Sequence, residues 1–159
     1  MGKTWAPKGK TPVIEVTDKR GGICVTSAIS PSGRLLFRIE KDKERINADK
    51  HIEFLQQILQ HHPKRKIIVI EDQAKPHIAK KVKQFVEKHK KRFALYFLPS
   101  HSPELNPDEH VWKYLKAYQL KAHQAQTKDE LKKLVKRKMQ STQRKEMRVK
   151  SFFIATYVT

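Results

Sequence analysis

The chain has 159 residues, enough for one domain with a core of its own. Its 35 Lys and Arg against 16 Asp and Glu give a formal charge of +19, which points to a polyanionic partner, because each neutralised phosphate releases counterions. One cysteine, Cys24, excludes an internal disulfide and a Cys-based zinc site, and no apolar run is long enough for a membrane span or a signal-peptide core.

Residues 1–11 are rich in Lys, Gly and Pro and read as a basic loop, with Trp5 as its anchor on a sheet edge or on DNA. Val13 to Thr17 alternates apolar and polar residues and predicts a short strand. Asp18 to Gly22 reads as a turn. Ile23 to Ile29 and Leu35 to Ile39 predict an antiparallel hairpin through Pro31-Ser32-Gly33, with Cys24 as a small core residue. Asn47 is placed to cap a helix whose apolar face is Ile52, Leu55, Ile58 and Leu59, ending at His61-His62-Pro63. That His pair reads as a helix end, not a metal site.

Ile67 to Ile70 is continuously apolar, as for a strand covered on both faces. Ile78, Val82, Phe85 and Val86 mark the face of the next helix, and Phe93 to Leu98 the next strand. Thr127-Lys128-Asp129-Glu130 is a capping-box sequence. The helix behind it carries Leu131, Leu134, Val135 and Met139 on one face and a basic strip on the other. Glu146 to Val158 predicts a last helix bearing Phe152, Phe153 and Tyr157. The order of elements suggests an α/β layered sheet with helices on both faces.

The chemistry concentrates between Lys66 and Lys116. Asp72 stands where a buried strand runs out, and Glu109 in the first turn of the helix after the next strand. Such positions share one edge of an α/β sheet, and carboxylates there suit hard divalent cations. Each has a structural reading too. Asp72 suits a turn. Asn106-Pro107-Asp108-Glu109 is good helix-start chemistry, with Glu109 at the capping-box position. Asp108 is the neighbouring alternative ligand, about 100° away around the helix. Glu71 precedes Asp72 and is expected to face the opposite side of the sheet.

Asp72 with His77 five residues later, followed by Leu98-Pro99 and Ser102-Pro103-Glu104-Leu105-Asn106-Pro107-Asp108-Glu109-His110-Val111-Trp112, resembles the DDE transposases of the IS630–Tc1/mariner superfamily, most closely the IS630-like branch. The likeness continues upstream through Thr4 to Lys10 and the Ser27 to Gly33 turn, so it covers roughly residues 3–120. It implies an RNase H-like fold, metal-dependent DNA cleavage and strand transfer with Mg²⁺ or Mn²⁺, and Asp72 and Glu109 as catalytic, metal-binding acids. It implies double-stranded DNA as partner, namely transposon ends and a TA target, and a cytoplasmic, nucleoid-associated location. His77 matches the family's His after the second acid, where it bonds a carboxylate or a phosphate or packs at a helix start.

The family uses three acids, and the first lies on a strand before the loop that here begins at Trp5. Residues 1–159 are therefore expected to be an RNase H-like catalytic domain lacking its first strand, with 120–159 as a helical extension. Two sheet fragments would then have no strand between them. Glu15 is the nearest substitute acid, although neither it nor Asp18 nor Asp42 matches the family position. The alternative is a non-catalytic basic module that binds DNA or pairs with a second copy or an upstream transposase segment.

Overall fold

The computed structural model describes residues 23–157 apart from 42–44, 122 and 124. The basic loop at 1–11, the Val13–Thr17 strand, Glu15, Asp18 and Asp42 lie outside the described residues.

Strands β1 (Val25–Ile29) and β2 (Leu35–Ile39) form the expected antiparallel hairpin, with Val25 opposite Ile39 and Ile29 opposite Leu35. Its ladder starts two residues later than the apolar run, and Cys24 is only half-buried. Gly33 closes the turn at φ +83°, a left-handed backbone that side chains with a Cβ disfavour. A Cβ at Gly33 would also meet the Glu146 carbonyl at 2.6 Å.

Helix α1 (Ala48–His61) starts where the Asn47 side chain accepts the Lys50 N–H at 2.9 Å. It buries His51, Phe54, Leu55, Ile58 and Leu59, the i, i+3, i+4, i+7 pattern of one helical face. The face is rotated from the expected one: Phe54 and His51 join it, and Ile52 is only half-buried. The helix ends as expected at His61 and His62.

β3 (Ile67–Glu71) and β4 (Phe93–Phe97) pair in parallel, and α2 (Lys80–His89) makes the crossover between them. Ile78 is not on the α2 face: the chain turns at 74–78, with the His77 and Ile78 N–H groups both on the Ala74 carbonyl, and leaves Ile78 exposed before the helix begins. After β4 a 3₁₀ turn (Pro103–Leu105) leads into α3 (Asp108–Tyr114), which continues as a π-helical turn to Gln119. Then come α4 (Lys128–Gln143), with the full Thr127/Glu130 capping box, and α5 (Glu146–Tyr157).

The hairpin is the centre of two layers. Leu36 and Ala28 face the cluster made by α1 and α2, which includes Phe54, Leu55, Val82 and Phe85. Leu35, Phe37 and Ile39 face the other cluster, built from Val111, Leu115, Val135, Met139, Val149 and Phe152 of α3–α5. This is strand alternation sorting side chains to two faces.

The two strand pairs are separate sheets, and among the described residues neither β1 nor β3 has a partner on its second edge. α1 and α2 span the gap by packing on both the hairpin and Ile67, Val69 and Leu95. One expectation fails here: β3 is not covered on both faces. Ile68 and Ile70 are 66% and 60% exposed, beside Tyr96 at 59%. The reason is that α3–α5 lie over the hairpin, and no described residue covers this face of β3 and β4.

Gly33→Ala is expected to lower unfolding stability by about 1–3 kcal/mol, since it adds a left-handed non-glycine residue against α5. Ser32→Ala, at the exposed neighbour, should stay within about 0.5 kcal/mol. Urea denaturation compares the two.

Candidate functional site

Asp72 follows the last ladder residue of β3, where the Glu71 carbonyl still accepts the Leu98 N–H at 2.8 Å. The chain then folds back on the Asp72 side chain. Oδ1 accepts the Ala74 N–H at 3.0 Å and lies 2.8 Å from His77 Nδ1. His77 Nδ1 also lies 3.2 Å from the Asp72 carbonyl. Both neighbours of Nδ1 are acceptors, so the neutral ring carries its proton on Nδ1. The turn reading and the ligand reading of Asp72 thus use different atoms: Oδ1 makes the turn, and Oδ2 has no protein donor among the described residues.

The far wall of the same cleft comes from the β4–α3 connection. Gln73 ties the two walls by donating from Nε2 to the Leu98 carbonyl at 2.9 Å. His101 sits at φ 59°, a left-handed conformation in the loop that lines the cleft. The cleft holds about 270 Å³, and its lining includes Asp72, Gln73, His101, Asn106 and Glu109. The structure therefore brings Asp72 and Glu109 to one open space.

Asp108 takes the opposite direction. Its Oδ2 accepts the Ser27 hydroxyl at 2.7 Å and the Trp112 indole N–H at 3.1 Å, which ties α3 to the hairpin across 81 positions of sequence. Its Oδ1 is buried without a partner among the described residues. Burial raises the carboxyl from 3.8 to about 6, and the two hydrogen bonds only partly oppose this. With Asp108 fixed inward, Glu109 points about 100° away, exposed in the cleft. The capping box expected of Glu109 does not form. Asn106 Oδ1 instead accepts the Asp108 N–H at 3.1 Å, which leaves Glu109 free of the cap.

Glu71 faces away from Asp72, as expected of consecutive strand residues, and meets His51 of α1 at 3.1 Å. His51 escaped the sequence reading, although its spacing to Phe54, Leu55 and Ile58 marks a buried position. His101 carried no sequence signal.

The α/β layer is RNase H-like, as comparison with solved structures shows. The structure matches the catalytic domain of Mos1 mariner transposase with TM-score 0.60 and 18% identity, over 82% of this chain and 70% of that one. It matches the Mos1 mariner paired-end complex with Mn at TM-score 0.67 and 15% identity, over 98% of this chain and 46% of that one. A Mos1 catalytic domain with raltegravir and Mg matches at TM-score 0.60 and 18% identity, over 82% and 71% of the two chains. The chain thus spans about half the length of the longer transposase it matches. Curated protein sequences gave no match. Residues 1–132 match the family model described as DDE superfamily endonuclease, and the chain belongs to that family.

Asp108 generates a pH prediction. Its folded pKa lies above its unfolded one, so its contribution is fully present below about pH 4 and is lost as pH rises through about 6. The difference in unfolding free energy between wild type and Asp108→Asn should therefore shift by about 2 kcal/mol in favour of the variant between about pH 4 and pH 7. Paired urea titrations at the two pH values measure it, and other groups cancel in the difference.

Proposed function

We propose that this chain acts in DNA transposition as part of an IS630-like transposase, by metal-dependent cleavage and transfer of DNA strands. Residues 1–159 would form an RNase H-like DDE catalytic domain without its first strand, with 1–11 as a basic loop and 120–159 as a helical extension. The observation that carries this reading is the opening of Asp72 and Glu109 on one cleft while Asp108 is turned inward.

The residues suit a hard divalent cation. Asp72 Oδ2 lacks a protein donor, and Glu109 is exposed with no hydrogen bond or ion pair among the described residues. Asp72 and Glu109 would hold Mg²⁺ or Mn²⁺, which when bound supplies activation of the attacking oxygen and stabilisation of the leaving one. His77 fixes the Asp72 carboxylate through Oδ1. The family's remaining acid is proposed to come from an upstream segment. Double-stranded DNA, with transposon ends and a TA target as substrates, is drawn by the +19 charge and by exposed Lys133, Lys136 and Arg137 of α4.

A second reading rests on a different observation. The bare face of Ile68, Ile70 and Tyr96 and the unpaired strand edges favour a module that pairs with a second copy or a transposase segment.

Nicking of supercoiled plasmid with Mn²⁺ is the test. The 159-residue chain alone should be inactive, and supplying an upstream segment with the missing acid should restore cleavage. Asp72→Ala and Glu109→Ala should each remove at least about 100-fold of that restored activity, more than outer-shell substitutions cost. Failure of restoration favours the pairing module. Duplex binding should weaken linearly in a log–log plot against salt, with little dependence on sequence.

A further inference from the structure

A second group of metal-ligating side chains lies behind Asp72, on the α1 side of β3. His51, Glu71 and His77 each offer a ligand atom, and these atoms all lie within 4.8 Å of one another. They come from three elements: α1, the last residue of β3, and the turn before α2. Glu109 is not among them. We propose that His51, Glu71 and His77 bind one borderline first-row divalent cation, of the Zn²⁺ type, in a site separate from the Asp72/Glu109 cleft.

Donor chemistry comes first. Two imidazoles and one carboxylate match the ligand preferences of Zn²⁺ and Co²⁺, whereas Mg²⁺ prefers oxygen ligands alone. The spacing agrees. His51 Nε2 lies 3.2 Å from Glu71 Oε1 and 3.1 Å from Oε2. Two ligands at about 2.1 Å from one ion stand about 3.4 Å apart at a tetrahedral angle and about 3.0 Å apart at a right angle. The rings of His51 and His77 lie side by side, with centroids 4.2 Å apart and a 32° tilt.

Two further observations point to a ligand. His51 is only 3% exposed, and among the described residues Glu71 is its one polar side-chain partner and its buried Nδ1 has none. A buried imidazole held by a single carboxylate is poorly satisfied as a purely structural group. On the other side, His77 Nδ1 faces the Asp72 carbonyl at 3.2 Å and Oδ1 at 2.8 Å, which leaves Nε2 of the neutral ring for a metal. A metal-binding histidine whose other nitrogen donates to a carboxylate is the usual outer-shell arrangement. Asp72 would then orient a ligand of this ion while its own Oδ2 remains for the cleft. The bound ion would clamp α1 to β3 and fix the turn that positions Asp72, so His51, Glu71 and His77 are positioning residues.

The test is Co²⁺ titration of the 159-residue chain followed by visible absorption. We expect one equivalent to produce the d–d bands of a low-coordinate nitrogen–oxygen site, abolished by stoichiometric Zn²⁺ and unaffected by excess Mg²⁺. Glu71→Gln and His77→Ala should each weaken Co²⁺ binding at least about tenfold. His77 is only partly buried, so its variant tests the site should Glu71→Gln fail to fold. Glu109→Gln and His62→Ala should leave the bands unchanged. Absence of bands at one equivalent, unchanged affinity in His77→Ala, or loss of the bands in Glu109→Gln or His62→Ala would overturn the proposal. None of these readouts uses DNA cleavage, so the site stands or falls apart from the proposed transposase activity.

Discussion

Two sheets that share no strand ladder among the described residues are held together by the apolar faces of α1 and α2. Phe54, Leu55, Ile58 and Leu59 of α1, joined by Val82 and Phe85 of α2, pack on the hairpin through Leu36 and on the parallel pair through Ile67 and Val69. Polar links reinforce the joint: Arg38 of β2 pairs with Glu53 of α1, and the buried Glu40 pairs with Arg38 at 3.0 Å. The site depends on this joint. Asp72 rides on the parallel pair, whereas Glu109 starts a helix pinned to the hairpin through Asp108 and Ser27. Apolar contact carries no directional information, so the hydrogen bonds at Ser27 and Gln73 supply the finer alignment of the two walls.

Asp108 and Glu109 divide two tasks that the sequence places side by side. One carboxylate is buried and raised towards neutrality, where it accepts two hydrogen bonds and anchors a helix. Its neighbour is exposed in the cleft. A helical step of about 100° is enough to separate anchor from site, provided one of the two is fixed. Asp72 divides its labour by atom instead, with Oδ1 in the turn and Oδ2 without a protein donor among the described residues. The same economy links it to His77, which faces the carboxylate with one nitrogen and the His51 ring with its other side.

The uncovered face of β3 and β4 is the main departure from a closed layered domain. Ile68, Ile70 and Tyr96 expose apolar surface beside a strand edge that no described residue pairs. Such surface is costly to leave in water, and an open edge accepts another strand readily.

Local chemistry made much of this legible in the sequence. The Pro31-Ser32-Gly33 turn, the Asn47 cap and the Thr127/Glu130 capping box each involve neighbours a few positions apart, and each forms as read. The resemblance placed Asp72, His77 and Glu109, and the strand end and helix start carry the two acids to one cleft. What failed required knowledge of distant partners. An apolar run implies burial on both faces only if something covers both, and α3–α5 cover the hairpin instead of β3. Which of Asp108 and Glu109 faces the cleft turned on Ser27, 81 positions from Asp108, and the contacts of His51 on Glu71 and His77 in two other elements. Periodicity fixes which residues share a face of one element. Only the packing of elements decides which carboxylate is shut away from water and which is left to face it.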